Sequence, residues 1–201
     1  TTLRLVVGTQ PPPDVPGDAD GDGVLETSNI QGGDIAALIA GIFSANGPVV
    51  NVKNDANADG LDDAADIACA VLLAAQGAGA CTGNTTGTAT LAVAQEVLAK
   101  PNALVTVPLT LTTQGVQGSS LVFSIDYNET LLTLDPRDND HDGIPDAIDV
   151  RLPDGYQAAV SFNATDTDGE IDIVLADLDV PLEAFANGLL VSLSFRTAAA
   201  T

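Results

Sequence analysis

Acidic residues that recur at fixed intervals are the side chains most able to do chemistry in this sequence. In residues 55–66, oxygen-bearing side chains occupy positions 1, 3, 5, 9 and 12 of a twelve-residue frame, with Gly60 at position 6. This spacing is typical of a calcium loop of the EF-hand type, because the first three ligands converge as the chain curls and glycine permits the sharp turn. The predicted ligands are Asp55, Asn57, Asp59, Asp63, Asp66 and the carbonyl of Leu61.

Residues 138–149 fit the same frame. Aspartate stands at all five side-chain positions and Gly143 at position 6, so this stretch is also predicted to bind calcium. His141 falls at position 4, where side chains point away from the ion, and is predicted to be a solvated loop residue. The predicted ligands are Asp138, Asp140, Asp142, Asp146, Asp149 and the carbonyl of Ile144.

A further stretch near the start begins in the same register but departs from it later. Its position 12 is Asn29, which cannot bind an ion as a bidentate carboxylate. The Asp-Ile-Ala sequence at 34–36 matches that at 66–68, so we predict a five-residue insertion around 27–33 with Asp34 as the closing ligand, and Asn29 as the alternative. The other predicted ligands are Asp18, Asp20, Asp22, Glu26 and the carbonyl of Val24. We call residues 18–34, 55–66 and 138–149 the first, second and third loops.

The loops explain the charge of the chain. It carries 28 acidic and 6 basic residues, a formal charge of −22, and half of the acids stand at predicted ligand positions. Carboxylates this close repel one another strongly at low effective dielectric. We therefore expect the loops to be disordered without Ca²⁺, so that metal binding and folding are coupled. The same charge argues against nucleic acid and membrane surfaces as partners, since both require clustered Lys and Arg.

Few residues could serve catalysis. There is one histidine, and no hydrolase nucleophile motif or phosphate-binding loop is present. A glycosidase with paired carboxylates is a weak alternative, because the acids already have an explanation as metal ligands. We predict that the protein is not an enzyme. No apolar run is long enough to span a membrane, and none at the N-terminus resembles a signal peptide.

Two calcium loops, each leading into a helix, organise residues 14–81 as a duplicated unit. Ahead of them, residues 1–13 are predicted to form a single strand and a proline-rich spacer. Cys69 lies inside the second helix and Cys81 beyond its end. These cysteines are predicted either to form a disulfide that folds the tail back, or to remain two buried thiols.

Composition changes after a Gly/Thr/Asn-rich linker at 82–88. Residues 89–201 hold short β-rich segments separated by turn residues, which indicates an antiparallel β-sandwich. Pro108 within one segment predicts a sheet edge or a bulge. The predicted strands are 91–94, 104–111, 121–127, 156–162, 171–175 and 189–195. The fold class is therefore multi-domain, a small α module joined to an all-β sandwich.

Residues 14–81 resemble a dockerin. The resemblance rests on Gly17–Gly23, on Asp55–Asp66 and on the Asp-Ile-Ala helix starts. It implies a paired-loop module that binds two calcium ions and docks onto cohesin domains. In that family, positions 10 and 11 of each loop carry partner recognition, which implies partner contacts at Thr27, Ser28, Ala64 and Ala65. The insertion in the first loop departs from the family and makes the two halves unequal.

Residues 89–197 resemble a cohesin, which implies a β-sandwich of the jelly-roll type. The matching stretches are Val105–Leu111, Gly115–Gly118, Phe123–Leu132, Phe162–Ile171 and Gly188–Phe195. The third loop, inserted after Leu134, departs from the family, as does the lack of a last strand before Thr201. Because a sandwich short of a strand exposes unpaired edge groups, we expect the strand at 3–7 to complete it, in its own chain or a neighbour's.

These patterns predict a calcium-dependent assembly protein of an extracellular scaffold of the cellulosome type. Its expected partners are cohesin and dockerin domains of the same or other proteins, including copies of this chain. All-oxygen loops suit the millimolar calcium outside cells, so the predicted location is extracellular or attached to the cell surface. The alternative is a carbohydrate-binding or adhesin sandwich with a calcium-stabilised dockerin appendage. Sugar binding of that kind needs exposed aromatic side chains, and those of the sandwich mostly stand at expected core positions.

Overall fold

A computed structural model describes residues 15–44, 53–81, 89–94, 96–115, 117–163 and 169–199. The predicted N-terminal strand, the proline-rich spacer and the linker lie outside the described residues. Within them, two helices precede eight strands. The helices are α1 (Gly33–Ile42) and α2 (Ala64–Gln76), and the strands are β1 (Thr90–Val93), β2 (Leu104–Thr112), β3 (Ser120–Asp126), β4 (Leu132–Leu134), β5 (Ile148–Val150), β6 (Tyr156–Phe162), β7 (Glu170–Asp177) and β8 (Gly188–Thr197). Neither helix has the length and apolar character of a membrane span.

Each helix begins directly after an acidic loop. In α2 the Asp63 carboxylate accepts a hydrogen bond from the N–H of Ala65, while the Asp66 carboxylate accepts one from the N–H of Asp63. This reciprocal arrangement is a capping box, which satisfies N–H groups that the first turn of a helix leaves free. The helix ends at Gln76 and is followed by Gly77, whose φ of 82° lies in the left-handed region.

A disulfide joins Cys69 of α2 to Cys81, with the two Cα atoms 5.3 Å apart. The structure therefore contains the bridged form of the two alternatives for these cysteines. The bridge holds the segment after α2 against the helix. In the loop-entropy model a closed loop of this size stabilises the fold by about 3 kcal/mol.

The strands form two antiparallel sheets, as the sandwich prediction requires. One has the order β1-β2-β8-β4, with β5 also paired to β8, and the other has the order β3-β7-β6. All six predicted strands are present. The strands β4 and β5, of three residues each, were not predicted. Pro108 lies in β2, which is an interior strand, so the sheet-edge alternative is wrong. The pairing of β2 with β8 shifts register at Leu109/Thr110, directly after the proline.

Two apolar cores meet at β7. One lies between the sheets and includes Ile171, Ile173 and Leu175 of β7. The other lies on the outer face of the same strand, where Val174 and Ala176 pack against the two helices. Strand β7 is thus buried on both faces, which explains its nearly continuous apolar sequence. The helical residues of this second core are Ile35, Leu38, Ile67, Ala70 and Val71, joined by Ile30 of the first loop.

Candidate metal centres and the interface beside them

The three loops share one backbone conformation. Positions 4 and 6 of every loop have positive φ, a conformation that glycine adopts without strain and that costs other residues free energy. At position 6 the values are 90° for Gly23, 89° for Gly60 and 88° for Gly143. At position 4 they are 81° for Gly21, 59° for Ala58 and 64° for His141. The common spacing in the sequence therefore corresponds to a common fold.

Hydrogen bonds inside the loops repeat as well. In each loop the carboxylate at position 5 accepts the N–H of position 7, and the carboxylate at position 1 accepts the N–H of position 6. The first set joins Asp22 to Val24 (2.8 Å), Asp59 to Leu61 (2.9 Å) and Asp142 to Ile144 (2.8 Å). The second set joins Asp18 to Gly23 (3.4 Å), Asp55 to Gly60 (3.0 Å) and Asp138 to Gly143 (3.0 Å). The acids thus organise the turns of their own loops.

Asp34 occupies in the first loop the place that Asp66 occupies in the second. The Asp66 carboxylate accepts the N–H of Asn57 at 3.2 Å and that of Asp63 at 2.8 Å, positions 3 and 9 of its loop. The Asp34 carboxylate accepts the N–H groups of the corresponding residues, Asp20 at 3.2 Å and Glu26 at 2.8 Å. The extra residues of the first loop therefore lie between position 9 and the closing aspartate.

Asn29 lies within those extra residues. Its side chain is exposed and its Oδ1 accepts the N–H of Gln31 at 2.9 Å. The buried and doubly hydrogen-bonded place at the end of the loop belongs to Asp34. Asp34, and not Asn29, therefore stands at the position equivalent to Asp66 of the second loop.

Carboxylates converge in the first and third loops. Among the described residues, three groups of acids have oxygens within 4.8 Å of one another, close enough to share an ion. Two groups have Asp20 in common, so the first loop gathers all five of its predicted acidic ligands. The groups are Asp18, Asp20 and Asp22; Asp20, Glu26 and Asp34; and Asp138, Asp140 and Asp146.

The donor set of the first loop fits a hard divalent cation. Asp18 is fully buried, and its Oδ2 accepts no hydrogen bond from the described residues, although Lys53 Nζ lies 3.6 Å away. Burial also raises the pKa of the Asp34 carboxyl, because the charged form loses solvation. Asp18 and Asp34 are buried and the other three acids of the cluster are exposed. Clustered carboxylate oxygens are ligands that Ca²⁺ prefers, whereas zinc sites usually include nitrogen or sulfur. Calcium bound here would supply positive charge at the point where these oxygens converge.

The acids of the second loop are not among these groups, and hydrogen bonds are the contacts that hold its described residues together. Asn57 stands at position 3 and donates its side-chain N–H to Asp59 at 3.2 Å. Asp63, at position 9, caps α2 through its side chain. Burial raises the pKa of the Asp66 carboxyl to about 6. The exposed side chain of Leu61, like that of Val24, is compatible with a role for the carbonyl at position 7.

In the third loop, Asp149 lies in a strand and not at the start of a helix. It stands in β5, opposite Ser192 of β8, its carboxylate pairs with Arg151 Nε at 3.3 Å, and it lines one cleft with Asp140, Asp142 and Asp146. The chain continues from this loop into a strand, whereas the other two loops continue into helices. Asp138, Asp140 and Asp146 remain the clustered acids. The His141 side chain is exposed, as predicted.

Both pairs of predicted recognition positions lie beside the sandwich of the same chain. The Ser28 carbonyl accepts a hydrogen bond from Gln157 Nε2 at 3.1 Å, and the Ala64 carbonyl accepts one from the Ser120 hydroxyl. Ala65 lines a cleft next to Ser120, and Thr27 is half-buried. Sequence reasoning missed Gln157 and Ser120, whose only signal is that they are polar residues within apolar strands.

Aromatic side chains do not form a sugar-binding platform. All seven Phe and Tyr residues lie among the described residues, and none is exposed. Tyr127 packs against Phe195 with ring centroids 5.0 Å apart, and Tyr156 against Phe185 at 4.6 Å. Both pairs belong to the core between the sheets.

Comparisons with known proteins find cohesin structures. No protein-family model and no curated protein matches the chain. The sixth cohesin of scaffoldin B from Acetivibrio cellulolyticus, solved in complex with a dockerin, is 19% identical, covers 58% of this chain and 74% of its own, and has a TM-score of 0.42. The second type II cohesin module of the adaptor ScaA scaffoldin from that organism is 11% identical, covers 57% of this chain and 67% of its own, and has a TM-score of 0.41. A type II cohesin domain from the same organism's cellulosome is 12% identical, covers 57% of this chain and 70% of its own, and has a TM-score of 0.41.

Proposed function

We propose that this chain is a non-catalytic, calcium-dependent protein–protein assembly module of an extracellular scaffold. Its helical pair, α1 and α2 with the first and second loops, acts as a dockerin-like plug, and its sandwich acts as a cohesin-like socket. Partners are the complementary modules of other proteins or of further copies of this chain.

The observation that carries this proposal is the contact between the two halves of the chain. The apolar side chains of α1 and α2 are buried against the outer face of β7. At the two ends of this contact, backbone carbonyls of the first and second loops accept hydrogen bonds from Gln157 and Ser120 of the sandwich. Ser28 and Ala64, one residue from each pair that the dockerin resemblance assigns to partner recognition, are therefore already bonded to a cohesin-like sandwich.

Calcium has a structural role in this proposal. Asp34 and Asp66 close their loops while fully buried, and each stands in the first turn of its helix. Without a cation, the carboxylates that gather around Asp34 repel one another, so the loop and the start of α1 lose their order. Binding of calcium in the first two loops thus builds the apolar face that packs on β7.

Light scattering of the chain after size exclusion, in calcium and then in EDTA, tests the proposal. In calcium we expect a compact species, because the helical pair is seated on a sheet. In EDTA we expect a larger hydrodynamic radius at monomer mass, or dissociation of an oligomer into expanded monomers. The mass in calcium distinguishes docking within one chain from docking between copies.

The Asp55→Asn variant tests the second loop, because it removes the charge of a predicted ligand. In calcium its hydrodynamic radius should shift towards that of the wild type in EDTA. Equal mass and equal radius in calcium and in EDTA would contradict the proposal. Retention on cellulose, xylan or chitin gels would support the carbohydrate-binding alternative instead.

A further inference from the structure

The extra residues of the first loop, 27–33, reach a strand edge of the sandwich. The N–H of Ile30 donates to Gln157 Oε1 at 3.0 Å, and Gln157 Nε2 donates to the Ser28 carbonyl at 3.1 Å. One amide side chain of β6 therefore satisfies two backbone groups of the insertion. The Ile30 side chain is buried in the core shared by the helices and β7. This segment is thus anchored by both polar and apolar contacts.

The same segment also touches the third loop. Gln31 Nε2 donates to the Asp142 carbonyl at 3.3 Å. The Gln31 amide lies directly over Gly143, since a Cβ atom added at Gly143 would stand 2.7 Å from Gln31 Nε2. A side chain larger than hydrogen at Gly143 would therefore displace this amide. The two features that depart from the dockerin and cohesin patterns, the insertion and the third loop, are in direct contact.

The contacted part of the third loop is held by the acids that are predicted to bind the ion. Asp138 accepts the N–H of His141 at 2.7 Å and that of Gly143 at 3.0 Å, and its carboxylate belongs to the cluster with Asp140 and Asp146. On the other side of the loop, Ile144 packs against the sandwich core. The loop is thus fixed to the sandwich at one side and presents the Asp142–Gly143 backbone to the insertion at the other.

We propose that the third loop is the receptor for the insertion of the first loop, and that calcium in the third loop strengthens this contact. Neutralising the Asp138 cluster fixes the backbone at Asp142–Gly143, which then accepts Gln31 and holds the insertion against Gln157. The partner that fits this surface is a helical pair carrying the same insertion, which here is the chain's own. This inference rests on the proposed calcium binding by the third loop.

Reciprocal coupling follows, because two binding events that favour one conformation favour each other by the same factor. We expect Gln31→Ala to lower the calcium affinity of the third loop at least fivefold. Gln31 is exposed, so this substitution should leave folding intact. The matched control is Gln76→Ala, an exposed glutamine on α2, which should leave all calcium affinities unchanged.

The local readout is hydrogen exchange at the Ile30 amide in saturating calcium. The Asp140→Ala variant, which removes the side-chain oxygens at position 3 while the first and second loops remain loaded, should exchange this amide at least fivefold faster than the wild type. The Val174 amide of β7 serves as the internal reference and should not change. Gln157→Ala, which removes the acceptor for the Ile30 N–H, should accelerate exchange at least as much as Asp140→Ala.

The outcomes separate this inference from the proposed function. If Asp140→Ala loses one calcium ion per chain but exchange at Ile30 is unchanged, the receptor role of the third loop is wrong while calcium binding stands. If Asp140→Ala binds as many calcium ions as the wild type, the third loop is not a calcium site and the inference fails with it. If Gln31→Ala leaves the calcium affinity of the third loop unaltered, the proposed coupling between calcium binding and the Gln31 contact is wrong.

Discussion

Two aspartates, Asp34 and Asp66, hold equivalent places in loops of different length. Each accepts hydrogen bonds from positions 3 and 9 of its own loop, at the same pair of distances. The five-residue insertion therefore does not displace the closing carboxylate. It bulges out between position 9 and the helix, which leaves the geometry of the ligand positions unaltered.

We predict that Asp34→Asn removes one calcium site. The substitution deletes a charge from the cluster of the first loop and places an amide N–H₂ where a backbone N–H already points. Calcium titration calorimetry should show one fewer site or at least a tenfold weaker one, at about 1.4 kcal/mol per factor of ten. Asn29→Ala is the matched control and should leave the titration unchanged. The opposite result, a loss with Asn29→Ala alone, would reassign the closing position.

The pKa of Asp66 predicts how the metal-free protein responds to pH. Burial raises this pKa from 3.8 to about 6, so the folded state holds the proton more tightly than the unfolded state. The stability that this provides is complete below about pH 4 and is lost as pH rises through 6. In EDTA we expect the metal-free fold to be most stable near pH 4, where this carboxyl is protonated. Its free energy of unfolding should fall by up to about 3 kcal/mol by pH 7, at about 1.4 kcal/mol per pKa unit, because ionisation restores the repulsion that calcium would neutralise.

Urea unfolding of the wild type and of Asp66→Asn in EDTA measures this contribution. Asparagine does not titrate, so the variant should show a smaller fall over the same pH range. Equal slopes for the two proteins would show that Asp66 does not contribute.

At the residue level, the spacing predicted the sharp turn at position 6, where glycine has positive φ in each loop, while the metal ligands themselves stay a prediction. The place of Asp34 could be predicted because the Asp-Ile-Ala sequence that it begins repeats at Asp66. The strand position of Asp149 could not, because a strand and a helix both accept an aspartate at position 12. Gln157 and Ser120 left no recognisable signal, since their role depends on which element packs beside them.

At the level of elements, the distinctive feature is a strand covered on both faces. Val174 and Val93 are both valines in strands, but Val174 is 1% exposed beneath the helices and Val93 is 46% exposed. Burying the hydroxyl of threonine without a partner costs about 1–3 kcal/mol in proteins.

We therefore predict that Val174→Thr lowers the free energy of unfolding in calcium by about 1–3 kcal/mol. Val93→Thr, the matched control, should change it by less than about 0.5 kcal/mol. Urea unfolding monitored by circular dichroism gives both values. Similar small effects at the two positions would mean that the helical pair does not cover β7 in solution.

Six of the eight strands were predictable because each is long enough to show an apolar pattern bounded by turn residues. Strands β4 and β5 were not, since three residues give no periodicity and both depend on pairing with β8. The sequence pattern also did not predict that the helices pack on β7. The apolar run at 173–176 is, however, what a strand buried on both faces requires.

For the whole molecule, the acidic loops lie where the helical pair packs against the sandwich. A chain of charge −22 concentrates half of its acids at the predicted ligand positions, and these loops flank the interface between the helical pair and the sandwich. Occupation of three loops by Ca²⁺ would neutralise six charges. The ions would thereby remove repulsion at the place where the two halves of the chain meet.

Equilibrium dialysis that counts the calcium ions bound per chain tests the central claim most directly. At millimolar free calcium, the account predicts three bound ions. A count of fewer than three would contradict it, because at least one acidic loop would then keep its fold without the cation that its carboxylates are proposed to require.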